Sequence, residues 1–238
     1  MYAGHFGIIH ALQHWFPDTS IYVLSFGVVF IDIIHSILSF HGIETFTRNV
    51  NAGLIGADVQ CDYSHSLLGQ LVLSFIYGVF TRTKTKKKSI IPGFVASFSH
   101  FILDWLVHNS DLMLGPPPFL NDHTVGGTGF WANYPETAFY FEGLLCIICA
   151  IFYSNRDHSN TNKKIPAIAT LLLIAMHVQF RLMSPSLLDH IFSIDDLVKR
   201  HHLVGVLFIC SFTLPALLFG FMLGRNDPVD KRETLKNS

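Results

Sequence analysis

Six stretches of the chain alternate long apolar runs with short polar breaks: Ile21–Phe40, Ser64–Phe80, Ile90–Val107, Thr137–Tyr153, Ile165–Leu182 and Leu203–Leu223. Each is close to the roughly 20 apolar residues that a helix needs to cross a bilayer. Ser64–Phe80 is the shortest, yet it carries no charge from Ser66 onward. Ahead of them, Gly4–Phe16 reads as a short helix closed by Pro17-Asp18, lying in the interface or dipping partway into the bilayer. The pattern therefore predicts an all-α fold, a polytopic membrane bundle of about six transmembrane helices plus a short N-terminal helix. One membrane domain would cover residues 1–224, and 225–238 would form a polar cytoplasmic tail. There is no internal repeat and no low-complexity tract.

The polar positions inside these runs carry the chemistry. In SHFILDWLVH (99–108), His100, Asp104 and His108 recur every fourth residue, which lines them along one helical face. Asp32 and His35 interrupt the first span, His65 opens the second, Glu142 lies in the fourth and His177 in the fifth. Counted from the nearest cytoplasmic turn at about 1.5 Å per residue, His5, Asp32, His100, Glu142 and His177 fall at roughly 17–18 Å. His65 and Asp104 fall slightly further, at roughly 23–24 Å. Several segments thus bring ionisable groups to one layer. Such groups in hydrocarbon must pair, lose their charge or bind a cation. Histidine with aspartate is the donor set of Zn²⁺, and Mn²⁺ or iron is also accommodated.

Composition agrees with a membrane chain: 238 residues, 50% hydrophobic, 14% charged, and a mean hydropathy of +0.41. A formal net charge of −1 gives no basis for a nucleic-acid partner. Lys and Arg concentrate in TRTKTKKK (81–88), in 156–164 and after the last span. By the positive-inside rule both termini lie near the cytoplasmic face, with the candidate site toward the exoplasmic or lumenal side. Cys146 and Cys149 form a CxxC within FEGLLCIICAIF, where thiols read as small apolar fillers. The first apolar run lacks a basic lead and a small-residue cleavage site, so no cleaved signal peptide is expected.

Four blocks in order along residues 1–145 resemble the membrane-bound metal-dependent hydrolase family, the LexA-binding, inner-membrane-associated hydrolases of bacteria and archaea, itself similar in motif to zinc-dependent phospholipase C. They are the early His5, Asp32 in its apolar run, Ser64-His65-Ser66-Leu67, and Ser99-His100-Phe101-Ile102-Leu103-Asp104. The resemblance implies that His5, Asp32, His65, His100 and Asp104 are metal ligands or their immediate partners. The family's His-Arg pair before the second histidine block is replaced here by Gln60-Cys61-Asp62-Tyr63, and its Pro-Asp-x-Asp is reduced to Phe30-Ile31-Asp32-Ile33. A one-metal site and a degenerate site both fit these departures.

The resulting expectation is a metal-dependent hydrolase of an ester or phosphoester in an amphiphilic or lipid substrate, with Glu142 or Asp32 as the proton acceptor. The alternatives are a proton or divalent-metal transporter and a non-catalytic membrane adaptor with a degenerate site. His10, His14, His35 and His177 are assigned structural roles, His108 an interfacial one, and the glycine-rich HTVGGTGFW (123–131) a turn-forming loop over the site.

Overall fold

In the computed structural model, residues 1–49, 57–85, 88–120, 123–154 and 164–224 are described; the expected tail, 225–238, lies outside them. Nine α-helices are present among the described residues, with two short antiparallel ribbons. Helix α1 (Tyr2–Trp15) is the centre of the assembly and does not lie at its edge. The sequence pattern puts it in the interface or partway into the bilayer; in the fold it is packed among the other helices, with Gly4, His5, Phe6, Gly7, Ile9 and His10 all covered. Two glycines permit this. A Cβ at Gly7 would come within 3.4 Å of the Cys146 Cα, and one at Gly4 within 3.5 Å of Glu142 Oε1. A helix apolar around most of its circumference is suited to such a place.

The first expected span is broken. Helix α2 (Ile21–Gly27) and helix α3 (Phe30–Phe40) meet at Val28-Val29 with a bend of 47°. Gly27 marks the break, since a Cβ there would lie 2.6 Å from the Ala96 Cβ. Helices α4 (Leu67–Thr81) and α5 (Ile91–Trp105) form an antiparallel pair of 15 residues each, linked through a 3-10 turn at Arg82–Lys84. Ser66 caps α4 by accepting the Gly69 amide, and Pro92 sits in the first turn of α5, where its missing N–H costs nothing. Gly78 and Gly93 face each other where the pair crosses, the space for a Cβ on Gly93 ending 3.1 Å from the Gly78 Cα. The short helix α6 (Phe130–Asn133) leads into α7 (Pro135–Ser154), followed by the long α8 (Lys164–Phe192) and α9 (Leu197–Gly224).

Of the six expected spans, α7 and α9 are long and apolar enough to cross a membrane, and the bent α2–α3 pair makes a third if counted as one. The count of six is corrected by length. At 15 residues α4 and α5 reach about 22 Å, short of a hydrocarbon core of about 30 Å. The apolar part of α8 stops at Ala167–Met183. The outward faces are nonetheless apolar: Leu68, Val72, Phe75 and Val79 of α4 and Leu214 and Phe221 of α9 are exposed, whereas His5, Asp32, His65, His100 and Asp104 are buried. Apolar surface on this scale marks contact with a membrane or a partner.

Ribbon β1 (Thr45–Arg48) with β2 (Ala57–Gln60) pairs Phe46 with Val59. A second ribbon joins β3 (Leu112–Met113) to β4 (Thr124–Gly126). Neither was expected from an all-α pattern, although most of the chain is helical. The main core gathers Phe6, Ile9 and Leu12 of α1, Leu24 of α2, Leu173 of α8 and Phe219 of α9, with Phe6 stacked on Phe219 at 5.7 Å.

Helix α9 packs flush along the broken pair because Gly205 lies on Phe40 and Gly220 on Tyr22. A Cβ at 205 would lie 2.5 Å from the Phe40 Cβ and 2.7 Å from its Cα, where backbone must move. Gly205→Ala is therefore expected to cost about 1–3 kcal/mol, the usual range for overpacking, and to lower the thermal midpoint of the detergent-purified protein. An unchanged midpoint would contradict this contact.

Candidate metal centre

Four acceptor atoms from three segments converge in the interior. His100 and Asp104, one turn apart on α5, bring Nε2 and Oδ2 within 3.1 Å of each other. His65, in the cap of α4, places its Nε2 3.2 Å from His100 Nε2 and 3.7 Å from Asp104 Oδ2. Asp32, in the first turn of α3 after the break, sets Oδ1 3.6 Å from both histidine nitrogens. All four residues are buried. The Asp32–His65–His100 spacings, 3.2–3.6 Å, are close to the roughly 3.3–3.4 Å that separates donors held about 2.0–2.1 Å from one first-row ion.

The hydrogen bonds around the ring fix which nitrogens carry protons. His100 Nδ1 faces the Val28 carbonyl at 3.0 Å; a carbonyl only accepts, so Nδ1 holds a proton, and Nε2 is the nitrogen turned to Asp104 and His65. The break after Gly27 puts that carbonyl opposite α5. Ser64 Oγ donates to Glu44 Oε2 at 2.8 Å and so accepts from His65 Nδ1 at 2.7 Å, leaving the His65 Nε2 lone pair directed at His100. Glu44 also accepts the Tyr63 and Ser64 amides, at 2.9 and 2.7 Å, and the His35 Nδ1 proton at 2.6 Å. Burial works against charge on Glu44, but the bond and charge of His35 outweigh it, so the carboxyl is held below its ordinary value.

The two Nε2 atoms thus face each other with carboxylate oxygens of Asp32 and Asp104 beside them. The buried His/Asp groups could therefore hold a metal ion: donor atoms of Asp32, His65 and His100 lie within 4.8 Å of one another, as do those of His5, His100 and Asp104.

Of the expected ligands, Asp32, His65, His100 and Asp104 meet directly. His5 joins from the far side: its ring stacks on His100 at 3.8 Å and its Nε2 lies 3.1 Å from Asp104 Oδ1, an oxygen that also receives the Met1 amine at 2.6 Å. Glu142 stands apart from the four, accepting the Gly4 amide at 2.8 Å with Oε1 while Oε2 lies 3.7 Å from His177 Nδ1. His177 Nε2 faces the Phe139 carbonyl at 3.0 Å. His108 pairs with Asp111 at 2.9 Å at the rim.

Two participants escaped the sequence reading. Glu44 lies outside every apolar run, and nothing in GIET (42–45) flags it. His35 was given a structural role, yet its spacing of three from Asp32 was a signal that both share a face of α3. Among the described residues, His35 Nε2 and Asp32 Oδ2 are buried without a hydrogen-bond partner, and both residues line a cavity of about 120 Å³ with Tyr2, Phe46, Cys61 and Trp131.

No protein-family profile, no curated protein and no solved structure matches the chain.

If Glu44 sets the proton positions of His65 and His35, Glu44→Gln weakens cation binding about 10–100-fold, the usual effect of losing such a partner. Competition against a chromophoric zinc chelator measures this, with circular dichroism to confirm the fold. Wild-type affinity in a folded variant would refute the assignment.

Proposed function

We propose that the chain is an integral membrane metal-dependent hydrolase that holds a divalent cation, zinc by its donor set, and cleaves an ester or phosphoester of an amphiphilic substrate. The observation that carries this reading is the pair of overlapping triads, Asp32–His65–His100 and His5–His100–Asp104, that share His100 and lie buried beside a cavity. Zinc takes His and Asp donors at this spacing, and a tetrahedral catalytic site needs one position open to water or substrate.

His65 and His100 would hold the ion through Nε2 and Asp104 through Oδ2, with Asp32 bound through Oδ1 or yielding its place to substrate. When bound, the cation lowers the pKa of a water and polarises the oxygen of the scissile bond. Asp32 then has the role of proton acceptor, since its Oδ2 is buried, lines the cavity and has no other partner among the described residues. Asp32 is favoured over Glu142 for this step because the Glu142 carboxylate is already engaged at Gly4. Glu142 instead anchors the first turn of α1, which positions His5 against Asp104. The positive-inside pattern favours a site open toward the exoplasmic or lumenal leaflet.

A second reading, cation transport, draws support from the broken α2–α3 pair, because discontinuous helices at ion sites are a transporter feature. The two readings separate on one protein preparation. Hydrolysis requires a near-stoichiometric ion, lost in His100→Ala and in Asp104→Ala. Asp32→Asn should keep a bound ion and lose about 10²-fold or more in turnover of a fluorogenic long-chain ester or phosphoester. Zinc flux into proteoliposomes without any turnover would favour transport. Full turnover by Asp32→Asn, or the absence of any bound ion, would overturn the hydrolase.

A further inference from the structure

A second hollow, of about 210 Å³, runs between α8 and α9 and shares Tyr2, Phe46, Phe180, Phe208 and Phe212 with the cavity at the His/Asp cluster. On α8 its wall is Met176, Phe180, Met183 and Leu187, spaced four, three and four residues apart and so on one stripe. On α9 it is Val204, Phe208 and Phe212, each four residues on from the last. From Phe180 to Ile191 the stripe extends about 16 Å, the scale of a long alkyl tail. Among the described residues of its lining, Gln179 and Ser211 add the only polar side chains besides Tyr2, whose hydroxyl is already bonded to the Ser211 carbonyl at 3.0 Å.

The shape and chemistry select among occupants. An α-helix is about 10–12 Å across and cannot follow the groove to a buried cluster. A polar molecule would leave its groups without partners along walls of Met, Leu and Phe. A hydrocarbon chain fits, because methionine and leucine adapt to a flexible apolar guest, and the exposed apolar faces of the same helices give it access from surrounding lipid. One end of the path is apolar and the other is the donor cluster. An amphiphile has that polarity.

We propose that the groove between α8 and α9 binds the hydrocarbon chain of an amphiphile whose anionic head reaches the His/Asp cluster. This rests on the reading of that cluster as a cation site and names the class of substrate it serves. Tyr2 stands where head and chain join, stacked on Phe180 at 4.9 Å and edge-on to Phe212 at 5.7 Å. Leu207 and Met183 then limit chain occupancy from opposite walls.

The test uses the zinc-treated full chain in lipid nanodiscs and a hexadecyl phosphate bearing a diazirine near its chain end. After illumination, labelled peptides should map to the groove at Met183, Leu187 and Leu207, and unlabelled hexadecyl phosphate should suppress the labelling. In Leu207→Trp and in Met183→Trp, groove labelling should fall to the level of the outer helix faces, with bound zinc unchanged. Labelling spread evenly over outward faces such as Leu171 and Phe221, or insensitive to competitor and to both variants, would overturn the groove proposal. Bound zinc is assayed on the same samples. Zinc without competed groove labelling removes the groove and spares the hydrolase; competed labelling without zinc supports the groove and removes the hydrolase.

Discussion

His65, His100, Asp32 and Asp104 gather in one buried region, where carboxylate charge must be met because the medium screens poorly. Burying a carboxylate costs several kcal/mol unless its charge is met. The Met1 amine meets Asp104 at Oδ1, and a cation among the His and Asp donors would meet Asp32 and the remaining lone pairs together. Much of the local backbone serves this convergence: the bend after Gly27 offers the Val28 carbonyl to His100, and the Ser64 hydroxyl passes the hold of Glu44 to His65. Each imidazole is thereby held with Nδ1 as the donor and Nε2 turned to the cluster.

The architecture around the cluster follows from the same need. A polar interior requires close helices to exclude water, and the close approaches are made at glycines: Gly4 and Gly7 of α1, Gly78 and Gly93 between α4 and α5, and Gly205 and Gly220 of α9. Apolar side chains are left to face outward, the arrangement suited to lipid, where small residues drive helix packing. The β1–β2 ribbon, with Phe46 and Val59 in register, closes the cavity with side chains instead of backbone.

The His100–Asp104 pair is legible in the sequence because a helix repeats every 3.6 residues and only polar groups at that spacing can share a face. The rough layering of Asp32, His65 and His100 comes from helical rise along straight spans, although the bend between α2 and α3 and the start of α4 at Leu67 depart from that geometry. Other features are set by tertiary contacts that a hydropathy pattern does not record. Val28-Val29 sits in an unbroken apolar run, and Gly27 alone hints at the bend. Apolar content overcounted the spans because Ser64-His65-Ser66 forms the cap of α4 and not its body, and because α5 ends at Trp105. Glu44 could be recognised only once the fold brought it beneath Ser64 and His35. The apolar pattern of helix α1 allows a place in the interface or partway into the bilayer and does not record that Gly4 and Gly7 let neighbours cover most of its length.

X-ray absorption at the zinc K-edge on the purified, zinc-loaded protein tests the central claim most directly. The expected spectrum has two imidazole nitrogens at about 2.0–2.1 Å and carboxylate oxygens at about 2.0–2.2 Å, and it loses histidine scattering in His100→Ala. A sulfur shell at about 2.3 Å, which would bring in Cys61 of the cavity wall, or zinc bound with no imidazole scattering, would contradict the proposed centre.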